Sequence, residues 1–127
     1  MEAIKLETRK ETRQVFRGEI YYANLSGAIG SEQQGTRPVL IVQNNTGNVH
    51  SPTVMVLPIT KKLDVINPQP THIDIKNFCG LEYECTILAE QIRTIDKSRL
   101  RAKIGNLPYK MIKTVNEAMQ IAQGIKN

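Results

Sequence analysis

The chain changes period once, near its end. From Glu19 to Thr94 the apolar residues come in short runs broken by Gly, Pro and Asn. From Pro108 to Gln123 they fall instead at Met111, Ile112, Val115, Ala118, Met119 and Ala122. Spacings of three and four keep one face of a helix apolar. Pro108 suits the first turn of that helix and Gly124 its stop. Several short strands followed by one helix predict an α+β domain, a small twisted sheet or partly open β-barrel with the helix packed on it. At 127 residues there is room for one domain with a real core. No internal repeat, low-complexity tract or interdomain linker interrupts it.

The strand signals follow in order. Ile20, Tyr21 and Tyr22 give Glu19 to Leu25 strand character. Gly27 to Gly35 reads as a long loop, and Val39 to Gln43 as a second strand. Asn44 to Pro52, rich in Asn, Gly and Pro, is expected to be a turn. Thr53 to Leu57 is a third strand, ending at Pro58 and Thr60, and Lys61 to Pro70 a further loop. Thr71 to Ile75 alternates, with Ile73 and Ile75 on one face and His72 and Asp74 on the other. Cys85 to Ala89 and Gln91 to Thr94 read as two short strands around a bend.

Seventeen Lys and Arg against twelve acids give a net charge of +5. A basic balance favours polyanionic partners. Residues 1 to 17 hold five basic and three acidic side chains, leaving only +3 for the rest, so a local groove rather than bulk charge has to carry binding. No apolar run approaches the ~20 residues of a membrane span. The N-terminus, MEAIKLETRKETRQ, lacks the apolar segment of a secretory signal. Cys79 and Cys85 have no metal-site company and are expected to be a reduced pair. The expected location is cytoplasmic.

One stretch concentrates chemistry. Gly30-Ser31-Glu32-Gln33-Gln34-Gly35-Thr36-Arg37-Pro38 runs directly into Val39-Leu40-Ile41-Val42. A glycine at each end lets the polar loop bend sharply. Pro38 biases Arg37 towards an extended backbone. The four apolar residues suit a strand buried on both faces. Arg37 is then a cation at the mouth of a rigid element, beside a hydrogen-bonding loop, which is one way to hold a phosphate; an arginine flanking a strand for solubility is the plain alternative.

Four further pieces accompany it: Arg17-Gly18-Glu19-Ile20-Tyr21-Tyr22-Ala23-Asn24-Leu25-Ser26, Gln43-Asn44-Asn45-Thr46-Gly47-Asn48, Val56-Leu57-Pro58-Ile59-Thr60 and Leu88-Ala89-Glu90-Gln91-Ile92-Arg93-Thr94-Ile95-Asp96. In this order they resemble the MazF/PemK family of toxin endoribonucleases from bacterial toxin–antitoxin modules, over Arg17 to Gly124. The resemblance implies a compact SH3-like β-barrel, open in part as in MazF and CcdB, with a C-terminal helix. It implies a single toxin domain over residues 17–127, preceded by a polar extension at 1–16.

The residues themselves narrow the chemistry. His50 and His72 are read as structural or solvent-facing, because a catalytic histidine needs an orienting partner. Asp64, Asp74 and Asp96 are scattered, without the clustered carboxylates of a two-metal nuclease, and no phosphate-binding GxxxxGK[ST] loop occurs. A nuclease built from this chain is therefore expected to work without metal, cofactor or histidine. RNA permits that, since its 2′-hydroxyl lies beside the scissile phosphorus, and alignment of such an internal nucleophile is worth ~7–11 kcal/mol in favourable cases. A guanidinium offers a planar donor fork to phosphate oxygens, and a threonine hydroxyl can donate to another.

The resemblance implies the same pair. Arg37 and Thr60 match the catalytic arginine and threonine of MazF-like enzymes, which cut single-stranded RNA to leave a 2′,3′-cyclic phosphate and a 5′-hydroxyl. Glu32 matches a functional loop acid and is a candidate base or RNA-positioning group; a solvated loop acid is the alternative. Glu90, Gln91 and Cys85 align with base-contacting positions, and Ser31 and Gln33 lie in the loop over the groove. For Cys85 the alternative is a small buried core residue. The partners implied are single-stranded RNA, mainly mRNA, a second copy of the chain, and a flexible MazE-like antitoxin that blocks the groove. Two other readings exist on this fold. One is a CcdB-like gyrase-poisoning toxin, which relies on a tryptophan near its C-terminus; this chain has none. The other is a non-catalytic SH3-like binding module, which needs neither Arg37 nor Thr60.

Overall fold

Strand β2 (Thr36–Ile41) explains the apolar run at its end. Antiparallel neighbours flank it on both edges: β1 (Glu19–Asn24), with Ala23 opposite Arg37 and Ile20 opposite Leu40, and β3 (Thr53–Lys61), with Leu40 opposite Leu57. In this computed structural model residues 14–27, 29–63, 69–76, 80–81 and 83–125 are described. Strands β4 (His72–Ile75), β5 (Cys85–Leu88), β6 (Arg93–Asp96) and β7 (Leu100–Asn106) complete a seven-stranded antiparallel sheet. Its order is β4-β5-β3-β2-β1-β7, and the two ends of that path are not paired with each other, so the sheet is not closed. The far edge of β3 is shared: β6 pairs with Thr53 to Val56, and β5 with Ile59 to Lys61. Between β5 and β6, residues Ala89–Gln91 form a single 3-10 turn.

Alternation then sends neighbouring residues to opposite faces, and both faces are covered. Ile20, Leu40, Leu57, Ile59, Ile73 and Ile87 pack with Val115 and Ala118 of the C-terminal helix. Tyr21, Ala23, Val39, Ile41, Val54 and Val56 form a second cluster on the other face with Ile95 and Leu100. A strand buried on both sides reads as a continuous apolar run, as Val39 to Val42 does. Val15, in the segment read from sequence as an extension, is buried in the second cluster. Residues 1–13 lie outside the described residues.

Four expectations need correction. The turn expected at Asn44 to Pro52 contains a short helix, α1 (Asn45–His50), whose first turn is capped by the Asn44 side chain accepting from Gly47 N at 2.8 Å. Beneath it the buried Gln43 and Asn48 are bonded twice (Gln43 Nε2 donates to Asn48 Oδ1 at 3.1 Å, and Asn48 Nδ2 to the Gln43 backbone carbonyl at 3.0 Å), and the buried ammonium of Lys97 donates to the Asn48 backbone carbonyl. Strand β3 runs on through Pro58 and Thr60 to Lys61, whereas the stretch from Thr53 to Leu57 is expected to end at Pro58 and Thr60. Pro58 falls where the far edge hands over from β6 to β5, a break in the ladder that tolerates a missing N–H. Strand β2 begins at Thr36, so Arg37 lies within the sheet. Finally, β7 occupies Leu100–Asn106, which carries no strand signal, because most of its residues face solvent and only Leu100 is buried.

The expected helix, α2, spans Tyr109–Gln123 and ends at Gly124, whose left-handed backbone no β-carbon obstructs. Among the described residues no helix is long and apolar enough to cross a membrane. Cys85 is a buried free thiol, whereas Cys79 and Asp64 lie outside the described residues.

Candidate active site

The sheet brings Arg37 and Thr60 together. β2 and β3 are adjacent and antiparallel, so the first residues of one lie beside the last residues of the other. The two side chains line a single cleft of about 180 Å³ together with Tyr22, Pro38, Ile59, Lys61, Leu81, Tyr83 and Cys85. Arg37 is exposed, and its Nε donates to the Gln34 carbonyl at 2.9 Å, which aims the guanidinium from the base of the loop. Both loop glycines have positive φ (61° at Gly30, 79° at Gly35), a backbone that side chains with a β-carbon adopt at a cost. The Gly35 carbonyl accepts from Leu25 N at 2.8 Å and closes the base of the loop.

Glu32, Glu90 and Gln91 line a separate hollow of about 190 Å³, with Ile92 and Arg93. Glu32 is not in the wall of the Arg37 cleft, and its carboxylate accepts from Ile29 N inside the loop. Ser31 and Gln33 line neither hollow; they bind the Gln91 side chain, which accepts from Gln33 N at 3.1 Å and reaches the Ser31 carbonyl at 3.5 Å. Gln91 is therefore the clasp between loop and sheet. Glu90 accepts from His72 Nε2 at 2.9 Å, so His72 does have a partner. The remaining expected site residue, Cys85, sits in the first cleft but turns its thiol to the Tyr83 carbonyl at 3.4 Å, and burial pushes its pKa up. A neutral, buried thiol of this kind is a wall of the cleft rather than a strong ligand.

Sequence reasoning missed Tyr22, Lys61, Leu81 and Tyr83 in the first hollow and Arg93 in the second. Lys61 was within reach, since it follows Thr60 directly. Tyr22 needed the pairing of β1 with β2, which places it opposite Pro38. Arg93 Nη1 is buried and has no hydrogen-bond partner among the described residues. Among those residues, too, no group of three or more His, Cys, Asp and Glu could hold a metal ion.

An open antiparallel sheet with one C-terminal helix is the architecture of several solved toxins and nucleases. A mycobacterial endoribonuclease in complex with its cognate antitoxin superposes with a TM-score of 0.75 at 25% identity, over 89% of this chain and 98% of that one. MazF from Deinococcus radiodurans, at 20% identity, shares the fold with a TM-score of 0.76 over 88% of this chain and 98% of its own. In sequence, the chain is 48% identical to the endoribonuclease MazF of Staphylococcus saprophyticus over 110 residues (86% of this chain, 91% of the relative). It is 49% identical to the endoribonuclease EndoA of Bacillus subtilis over 110 residues (85% and 93%). The profile of the PemK-like, MazF-like toxins of type II toxin–antitoxin systems matches residues 16–122. The chain belongs to that family.

Proposed function

We propose that this MazF-like endoribonuclease toxin cuts single-stranded RNA, mRNA foremost, at the cleft of Arg37 and Thr60. The substrate's own 2′-hydroxyl attacks the adjoining phosphorus, the 5′-oxygen leaves with a proton, and the products end in a 2′,3′-cyclic phosphate and a 5′-hydroxyl. Arg37 offers its donor fork to the phosphate as charge builds on the equatorial oxygens, and the Thr60 hydroxyl donates to another oxygen. The observation that carries this reading is the shared cleft: residues distant in sequence supply a fixed cation and a hydroxyl to one small space. No metal or cofactor has a part in the scheme. Arg37 serves only as a hydrogen-bond donor and is not the base.

Glu32 acts from the neighbouring hollow, as an RNA-positioning group beside Glu90 and Gln91, which read base edges. Ser31 and Gln33 serve by seating the loop on Gln91, and Cys85 completes the cleft wall. Residues 17–127 work as one toxin domain, in the cytoplasm and as a homodimer. A cognate MazE-like antitoxin silences it, by analogy with the mycobacterial complex. The test is to incubate the protein with long single-stranded RNA in excess EDTA and map the cut ends. Discrete cuts with 5′-hydroxyl termini, absent in Arg37→Ala and Thr60→Ala, are expected; cuts that persist in both variants would place the chemistry elsewhere.

A further inference from the structure

Tyr22, Lys61 and Tyr83 stand in the wall of the Arg37 cleft without a part in the chemistry just described. Tyr22 and Tyr83 are 40% and 56% exposed, although the chain has only six Phe and Tyr residues in all. Tyr21, next to Tyr22, is buried and its hydroxyl donates to Glu19 at 3.0 Å, whereas Phe16 and Tyr109 are exposed like Tyr22 and Tyr83. Exposure alone does not set Tyr22 and Tyr83 apart; their place does, since both open rings line the one cleft that holds Arg37 and Thr60. Lys61 Nζ lies 4.7 Å from the centroid of the Tyr83 ring, within cation–π range. That contact places a positive charge over one face of a ring that remains 56% exposed.

We infer that Tyr83, with Tyr22 in the same cleft, is a stacking platform for an unpaired nucleobase next to the phosphate held by Arg37. This rests on the nuclease reading of the cleft. Every base has a π-face, so an aromatic platform grips a single strand without regard to sequence. A base-paired strand keeps its faces within the duplex and cannot offer them. The two hollows then divide the work: the first grips base plane and phosphate, the second reads base edges through Glu90 and Gln91. Lys61 adds attraction for the phosphate next along the strand.

The test uses a short RNA spanning a cut site mapped with the wild-type protein. A 2′-deoxy sugar at the cut removes the nucleophile, and 2-aminopurine replaces each flanking base in turn. Wild-type protein should quench the fluorescence at one position. Tyr83→Leu should bind roughly tenfold more weakly, the loss expected of one stacked base, and should not quench. On cleavable RNA its KM should rise with kcat retained, while Tyr83→Phe keeps both the affinity and the quench. Tyr109→Leu, at a residue 91% exposed on α2, should change nothing. Native affinity and quenching in Tyr83→Leu, with wild-type protein cutting normally, would overturn the platform and leave the nuclease standing. Folded wild-type protein that leaves all RNAs intact would remove both.

Discussion

Strand β2 carries a polar segment at each end, and composition hardly tells the two apart. Before it come Gly30 to Gly35, with Ser, Glu and Gln; after it come Gln43 to Asn48, with Gln, Asn, Thr and Gly. Their fates differ. Gln43 and Asn48 are buried, bonded to each other and to Thr53, Asn45 and Lys97, so their polar atoms are taken up by the protein itself. Ser31, Glu32 and Gln34 stay exposed, and the loop is tied down by two side chains, Gln91 at Gln33 and Ser31 and Arg37 at Gln34. A saturated polar network stabilises a fold, because each partner left alone would be a buried unpaired group. An exposed loop with spare donors and acceptors is available to a ligand. Two glutamates repeat the contrast: Glu19 is nearly buried and bonded to Phe16 N, Tyr21 and Lys103, whereas Glu32 lies open in the loop.

Substitutions on the two sides should separate activity from stability. The largest effect is expected at the mouth of the loop, where Arg37→Ala lowers kcat by about 10²–10³-fold, the cost of losing one charge-stabilising donor. Because Arg37 is exposed, its melting temperature should barely move; a cooperative loss of structure instead would make this arginine a structural residue. Asn48→Ala should do the reverse. It removes the partner of one Gln43 Nε2 hydrogen and the Asn48 donor to the Gln43 backbone carbonyl, and costs about 2 kcal/mol in denaturant unfolding, while cleavage per folded molecule stays at the native rate.

Glu19→Gln comes next, at ~1–2 kcal/mol near neutral pH. Burial opposes ionisation of Glu19, but hydrogen bonds from Lys103, Phe16 N and Tyr21, with the Lys103 charge, outweigh it and hold its pKa below the ordinary value. With the folded pKa depressed, its contribution is complete above the unfolded value of ~4.3 and is lost as pH falls through the folded one. As pH is lowered from ~4.3 through the folded value, the stabilities of native protein and Glu19→Gln should therefore converge; a gap that stays constant would show that the charge contributes nothing. The smallest effect on stability belongs to Gln91→Ala, within about 0.5 kcal/mol. Hydrogen exchange at the Gln33 amide should still accelerate roughly fivefold, the equivalent of one ~1 kcal/mol hydrogen bond. Unchanged exchange would mean that Gln91 does not clasp the loop.

Legibility followed burial. The six-strand outline, the two-sided burial of Val39 to Val42 and the helix ending at Gly124 could be read because each leaves an apolar period in the sequence. Strand β7 leaves none: it is recruited by the open edge of β1, with Glu19 opposite Asn106 and Tyr21 opposite Lys103, and it shows solvent most of its residues. Helix α1 was unreadable for a related reason. Asn, Thr and Gly are poor helix formers, and the turn is held by the Asn44 cap at one end and by Lys97, from a distant element, at the other.

The sequence by itself determined an α+β domain with one C-terminal helix, a glycine-bounded polar loop, and an arginine where that loop meets the sheet. Those properties reside in local backbone preference and in the alternation of apolar side chains. Only the tertiary structure decided that Arg37 shares its cleft with Thr60, Tyr22 and Tyr83 while Glu32 joins Glu90 and Gln91 in another hollow. The reason is register. Which side chains meet depends on how antiparallel strands slide past one another and on where β3 exchanges one neighbour for the next, and such pairings leave no period along the chain.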